Sequence, residues 1–210
     1  MTGKNSPAGE SLALPRLCLA RFDSPLNDAW QTARIAQLTP TERARLARID
    51  RPLRREQFVV GHWMLRRVLA DAEHRDAAIE VDAEGRVRLS AKVPLFASIA
   101  HSANAVAVMV GGVPVGVDLE SVQPLRDVRA AAEMLGLVTA NAEDSGSVLR
   151  AWVAAEARMK AGPEALAQVW RTPWERCQLA VAGAANHPLT EVLDATTGIY
   201  NAIELEWEAA

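Results

Sequence analysis

Cysteine is scarce. Cys18 and Cys177 are the two in the chain, far apart in sequence. They make no metal-ligating pair at that separation and no disulfide scaffold, which points to a reducing compartment. A membrane-length apolar run is also missing. The run at 105–117 is interrupted by Gly111, Gly112 and Pro114, and it is well short of the roughly 20 residues a bilayer requires. No membrane span is expected. The opening "MTGKNSPAGESLALP" lacks the continuous apolar core of a secretory signal, so a frayed tail and a cytoplasmic location are expected. Nor is there an excess of positive charge: the formal net charge is −3. That gives no global reason to expect a nucleic-acid partner, and any anion site must be local. What remains is a globular composition, 50% hydrophobic and 23% charged over 210 residues, enough for one large domain or two small ones.

Pattern and punctuation give an order of elements. "PRLCLARF" (15–22) reads as a strand. In "LTPTERARLARI" Thr39 can cap a helix, Pro40 suits its first position and Glu42 completes a capping box. Phe58, Met64, Leu65, Val68 and Leu69 recur at helical spacing over about 54–72. "IEVDAEGRVRL" (79–89) signals a hairpin around Gly85, and 95–120 reads as three strands broken by "HSAN" and "GGVP". Helices are expected at about 127–136, 146–161 and 163–170, then strands at about 174–182, 190–195 and 198–207. The order runs strand, helices, strands, twice over. An α+β fold of two similar halves follows, with a join near Gly111–Pro114, although no repeat is visible in the sequence.

Four elements carry the chemistry. After thirteen uncharged residues (Ala105–Val117) the chain places Asp118 and Glu120 two positions apart. In a strand such residues share a face, about 7 Å apart, and two carboxylates so close repel unless water or a cation separates them. A hard cation such as Mg²⁺ uses one or two such carboxylates together with water and phosphate oxygens; a strand end entering solvent would read the same way. In "WVAAEARMKAG" Trp152, Glu156 and Lys160 are spaced i, i+4, i+8 along one helix face. Glu156 and Lys160 could be a simple surface ion pair, or an acid for a metal and a base for a phosphate. Eight arginines lie between 43 and 67, among them Arg51, Arg54, Arg55 and Arg66, opposed nearby by Glu42, Asp50 and Glu56. Arginine forks match phosphate geometry, though a solvated helix face would serve for most of these residues. The fourth element, "SIAHSAN", puts His101 just after a buried-looking strand, beside Ser102 and Asn104.

Together these motifs resemble the 4′-phosphopantetheinyl transferases, of the single-chain pseudo-dimeric, surfactin-synthetase-activating type. The family pattern is Gly-Ile/Val-Asp-x-Glu, then some forty residues on Trp/Phe-x-x-Lys-Glu-Ala-x-x-Lys. Here "VGVDLE" matches the first part, and "WVAAEARMK" matches the second at Trp152, Glu156, Ala157 and Lys160. "AHS" (100–102) stands for a Ser-His-Ser element, and "GHWMLRRVL" is similar to a Gly-Arg-x-Leu-Leu-Arg segment. The resemblance covers roughly residues 38 to 162, in order and at nearly the right spacing.

The resemblance implies two α+β halves, 1–112 on the coenzyme A side and 113–210 carrying the metal strand and the Glu/Lys helix, with the active site at their interface. It implies transfer of the phosphopantetheine arm of coenzyme A to a serine of an apo acyl or peptidyl carrier protein, Mg²⁺-dependent, releasing 3′,5′-ADP. By carry-over Asp118, Glu120 and Glu156 would hold Mg²⁺. Lys160 would contact the phosphate bearing pantetheine, and Glu156 would help deprotonate the serine. His101, Ser102 and an arginine such as Arg51, Arg55 or Arg66 would bind the nucleotide. A monomer is expected. The chain departs from the pattern at Ala155 (a lysine), Ala100 (a serine) and His62 (an arginine). Ala155 motivates an alternative, a non-catalytic or weakened relative that binds coenzyme A or a carrier protein.

Overall fold

The computed structural model describes residues 15–122, 128–136, 144–165, 168–183, 188–193 and 200–210. The expected frayed tail lies outside the described residues, as do residue 127 of the expected helix at 127–136 and parts of the expected strands at 190–195 and 198–207.

The elements run β1 (Arg16–Arg21), α1 (Asp28–Ile35), α2 (Pro40–Leu46), α3 (Pro52–Asp71), β2 (Ala78–Val81), β3 (Val87–Ser90), β4 (Phe96–Ser102), β5 (Ala105–Gly111), β6 (Gly116–Ser121), α4 (Val128–Met134), α5 (Ser145–Ala161), β7 (Val169–Trp174), β8 (Cys177–Ala182), β9 (Leu189–Leu193), β10 (Tyr200–Ala202) and β11 (Glu208–Ala209). The fold is α+β. Both halves of the capping box at α2 are present: the Glu42 N–H donates to Thr39 Oγ1 at 3.3 Å, and Glu42 Oε2 accepts from the Thr39 N–H at 2.6 Å. Gly85 takes φ +87° in the β2–β3 turn, a conformation open to glycine at little cost.

Two expectations fail locally. Helix α1 was not foreseen: Asn27 caps it by accepting from Ala29 N–H and Trp30 N–H, a short-range signal on a short helix. The helix expected at 163–170 is replaced by a turn at 163–165 and by β7, which begins at Val169. Gly162 at φ +85° followed by Pro163 stops α5, and β-branched and aromatic residues then favour a strand. The strand expected at 174–182 is thus the second arm of a β7–β8 hairpin.

Three sheets result, in the orders β10-β9-β1-β5-β4, β11-β7-β8-β6 and β2-β3. The order β1-β5-β4 matches β6-β8-β7: a first strand pairs with the third, and the third with the second, all antiparallel. The chain leaves the first sheet at Gly111 and enters the second at Gly116. Late in the chain it returns, with β9 lying parallel to β1, Arg16 opposite Leu189. Arg16 Nη2 donates to Glu191 Oε2 across that pair at 2.6 Å.

The large sheets share one apolar core. Leu17, Leu19, Ala107 and Met109 from the first meet Val117, Leu119, Leu179 and Val181 from the second. Each of the buried leucine, valine and methionine side chains among these contributes about 1.5–3 kcal/mol of hydrophobic stabilisation. On the far face of the first sheet α3 packs with Val60, Met64, Leu65 and Val68 against Val106, Val108 and Val110. On the far face of the second, α5 packs with Val153, Ala157 and Ala161 against Ala180 and Ala182. The layers are therefore helix, sheet, sheet, helix.

Along one edge β4 and β6 meet as a seam. Ser98 Oγ accepts from the Val117 N–H at 3.1 Å, and Ser102 Oγ accepts from the Ser121 N–H at 2.8 Å. Serines at positions i and i+4 of one strand face supply these acceptors where a sheet ladder is absent.

A candidate active site at the seam between the two sheets

The second sheet positions the acids. In β6, Val117 and Leu119 turn into the shared core, so Gly116, Asp118 and Glu120 face α5. Gly116 sets the spacing: a Cβ there would lie 2.0 Å from the Ala157 carbonyl oxygen and 2.5 Å from the Ala161 nitrogen. Only a residue without a side chain lets α5 sit this close to β6. The closeness brings Lys160 Nζ to 2.5 Å from Asp118 Oδ1, as a donor to the carboxylate.

Asp118 is 4% exposed, and its other oxygen, Oδ2, is buried with no hydrogen-bond partner among the described residues. A carboxylate has about four acceptor sites, so one partner leaves it under-satisfied. Buried polar groups are normally paired, and an exception calls for an explanation. Glu120, half-buried, accepts from Ser102 Oγ at 3.2 Å. Burial pushes its carboxyl above the usual value, and so do the charges of Asp118 and, more weakly, Glu156; Ser102 and Lys160 pull the other way. The charges of Asp118 and Glu156 thus act on Glu120, as those of carboxylates sharing a site do.

The first sheet supplies the opposite wall. His101 follows Ile99 on the β4 face that α3 covers. Burial, then the charges of Arg54 and Lys160, hold its imidazole down at about 3, so it is neutral near pH 7. Arg54 stands at the start of α3, one helical turn before Gln57 and two before Gly61, whose face meets Ile99. Its Nη1 donates to Gln57 Oε1 at 2.8 Å, and Gln57 Nε2 donates to the Ala103 carbonyl. Burial and the charge of Arg45 lower the Arg54 pKa. A half-buried guanidinium held by a neutral amide, beside another arginine, is suited to an anion.

Hydrogen bonds thus join Lys160 to Asp118 and Ser102 to Glu120, the charge of Glu156 reaches Glu120, and that of Lys160 reaches His101. The arginines named from sequence do other things. Arg51 is exposed at the N-cap of α3. Arg55 Nη1 donates to the carbonyls of Leu46 (2.8 Å) and Ile49 (3.2 Å), fastening the end of α2. Arg66 grips Glu42, donating from Nη1 to Oε1 at 2.8 Å and from Nη2 to Oε2. The arginine whose charge acts on His101 is Arg54. Helical phase could have found it, since Arg54, Gln57 and Gly61 are spaced i, i+3, i+7; the phase relative to β4 could not be read from the sequence.

The departures from the motif acquire local explanations. His62 is buried and bonds Glu42 Oε1 through Nδ1 at 2.5 Å, stacked on Phe58 with ring centroids 4.1 Å apart. Ala100 is 1% exposed in the shared apolar core. Ala155 is half-buried on α5, and Arg158 on the same helix is exposed.

As placed, no three His, Cys, Asp or Glu side chains among the described residues are gathered as a ready metal cage. The donor set nonetheless fits a hard cation: all-oxygen, anionic, mutually repelling, with one buried oxygen on Asp118 unsatisfied. Among the described residues no helix is long and apolar enough to cross a membrane. No protein-family model and no curated protein matches the chain.

Proposed function

We propose that the chain transfers the 4′-phosphopantetheine arm of coenzyme A to a serine of an apo acyl or peptidyl carrier protein, releasing 3′,5′-ADP, as a cytoplasmic monomer built from two related halves. The observation that carries this reading is the under-satisfied Asp118 carboxylate, set with Glu120, Glu156 and Lys160 opposite His101 and Arg54. The acids and Lys160 line one side of the seam and His101 and Arg54 the other, an arrangement suited to a cation-bound pyrophosphate with a second phosphate alongside.

In this reading Asp118, Glu120 and Glu156 hold Mg²⁺, which when bound neutralises pyrophosphate charge and favours departure of 3′,5′-ADP. Lys160 contacts the phosphate that bears pantetheine. Glu156 takes the proton of the carrier serine, directly or through water, as its oxygen bonds to that phosphorus and the bond to the ADP oxygen breaks. Arg54 and neutral His101 hold the nucleotide phosphate, His101 by a hydrogen bond instead of a charge. Arg54 thereby offsets the cation missing at Ala155. Positioning and charge neutralisation supply most of the rate.

The test is a mass-spectrometric assay with coenzyme A, Mg²⁺ and a panel of apo carrier proteins. A phosphopantetheine-sized gain on a carrier, lost in Glu156→Ala, is the expected result. A protein that binds coenzyme A but modifies no carrier would favour a binding module instead, a reading motivated by Ala155; Ala155→Lys would then be the variant to examine for restored turnover.

A further inference from the structure

Among the described residues Lys160 is the one side-chain partner of Asp118: its ammonium donates to Oδ1 at 2.5 Å while Oδ2 is buried and unpaired. The lysine side chain is 29% exposed and that of Asp118 is 6% exposed, so the lysine can turn to solvent and the aspartate cannot. A lysine ammonium is a compact charge on a flexible stem, able to exchange partners without moving the backbone. Gly116 fixes that backbone, because α5 lies against β6 with no room for a Cβ.

We propose that Lys160 is a built-in counter-ion for Asp118, displaced when a divalent cation binds, so that loading the cation and presenting the lysine to an anionic substrate are one event. This rests on the cation-dependent reading above and adds an order to it. A cation and an ammonium compete for the same buried carboxylate. Cation binding to the free protein is therefore weakened by the lysine, and an anion that draws Lys160 away restores it. The two ligands then favour one another reciprocally.

The probe is Mn²⁺ alone, titrated by calorimetry into the full chain and into Lys160→Met, which keeps the stem and removes the charge. The inference predicts that Lys160→Met binds Mn²⁺ about tenfold more tightly or better, and that Asp118→Asn abolishes the binding. Equal or weaker binding by Lys160→Met would overturn it while leaving the cation site standing. No Mn²⁺ binding by either protein would overturn the cation reading itself.

A second measurement needs no variant. The chain has three lysines, Lys4, Lys92 and Lys160, and Lys92 is highly exposed. In a brief acylation read by peptide mass spectrometry, Mn²⁺ should raise labelling of Lys160 and leave Lys92 unchanged. Unchanged or reduced labelling of Lys160 under saturating Mn²⁺ would contradict the displacement.

Discussion

Two buried carboxylates, one beneath α3 and one beneath α5, have opposite surroundings. Glu42 is wholly buried beneath α3 and accepts hydrogen bonds from His62, from both terminal nitrogens of Arg66 and from the Thr39 N–H. Burial alone would raise its pKa, but the hydrogen bonds from His62 and Arg66 prevail and hold it at about 2. Asp118, nearly as buried beneath α5, has one side-chain partner and an oxygen with none among the described residues. Glu42 is complete without a ligand. Asp118 is not. A buried charge that is fully paired fastens a fold, whereas one left partly unpaired is a candidate for binding or catalysis.

The sharpest way to break this comparison is to neutralise each acid in turn. Glu42→Ala leaves Arg66 and His62 without their counter-charge and removes the capping box, so it should cost about 3 kcal/mol or more in denaturant melts. Asp118→Asn should change stability by no more than about 1 kcal/mol, because the half-exposed Lys160 can turn to water. If Asp118→Asn were as damaging to stability as Glu42→Ala, the distinction would fail.

Next in size come the two glycines that seat the helices. A Cβ at Gly116 would strike the α5 backbone at 2.0 Å, whereas one at Gly61 would meet the Ile99 side chain at 2.9 Å. Gly116→Ala should cost about 1–3 kcal/mol as overpacking, and lower activity by moving Glu156 and Lys160 off Asp118. Gly61→Ala should cost less, since a side chain can yield; paired melts would show an inversion if this were wrong.

The most gradual effect, spread over several pH units, is the acid limb of stability. Glu42 has a folded pKa of about 2 against an unfolded value near 4.5. Its contribution is complete above about 4.5 and is lost as pH falls toward 2, about 3 kcal/mol in all. His101 acts in the same sense at higher pH: held at about 3 when folded, it takes up a proton on unfolding below its ordinary 6.5. Melts from pH 7 to pH 3 should therefore show a steady loss. A flat profile would mean that neither group has the surroundings described.

The same contrast explains what could be read from the sequence. The capping box at Thr39 and Glu42 was legible because it spans four residues, and α3, α5 and the strands between 95 and 120 were legible because their periodicity is local. That Glu42 also binds His62 and Arg66 was not, since those partners lie 20 and 24 positions on, across a helix turn that sequence alone does not orient. For the same reason the sequence does not separate Arg54 from Arg66 as the arginine whose charge reaches His101. The parallel pairing of β9 with β1 left no local trace, and the hairpin at 169–182 was masked by an apolar run that suits a helix equally well. At the seam the acids were visible as a spacing, but the unpaired oxygen of Asp118 depends on α5 packing against Gly116.

The most direct test is the rate of carrier-protein modification against Mg²⁺ concentration, for the wild type and for Asp118→Asn. The account predicts that the wild type saturates with Mg²⁺, and that the variant, equally stable, loses about 10²–10³ in rate. Modification by Asp118→Asn at the wild-type rate, or none by a wild-type protein that binds coenzyme A, would contradict it.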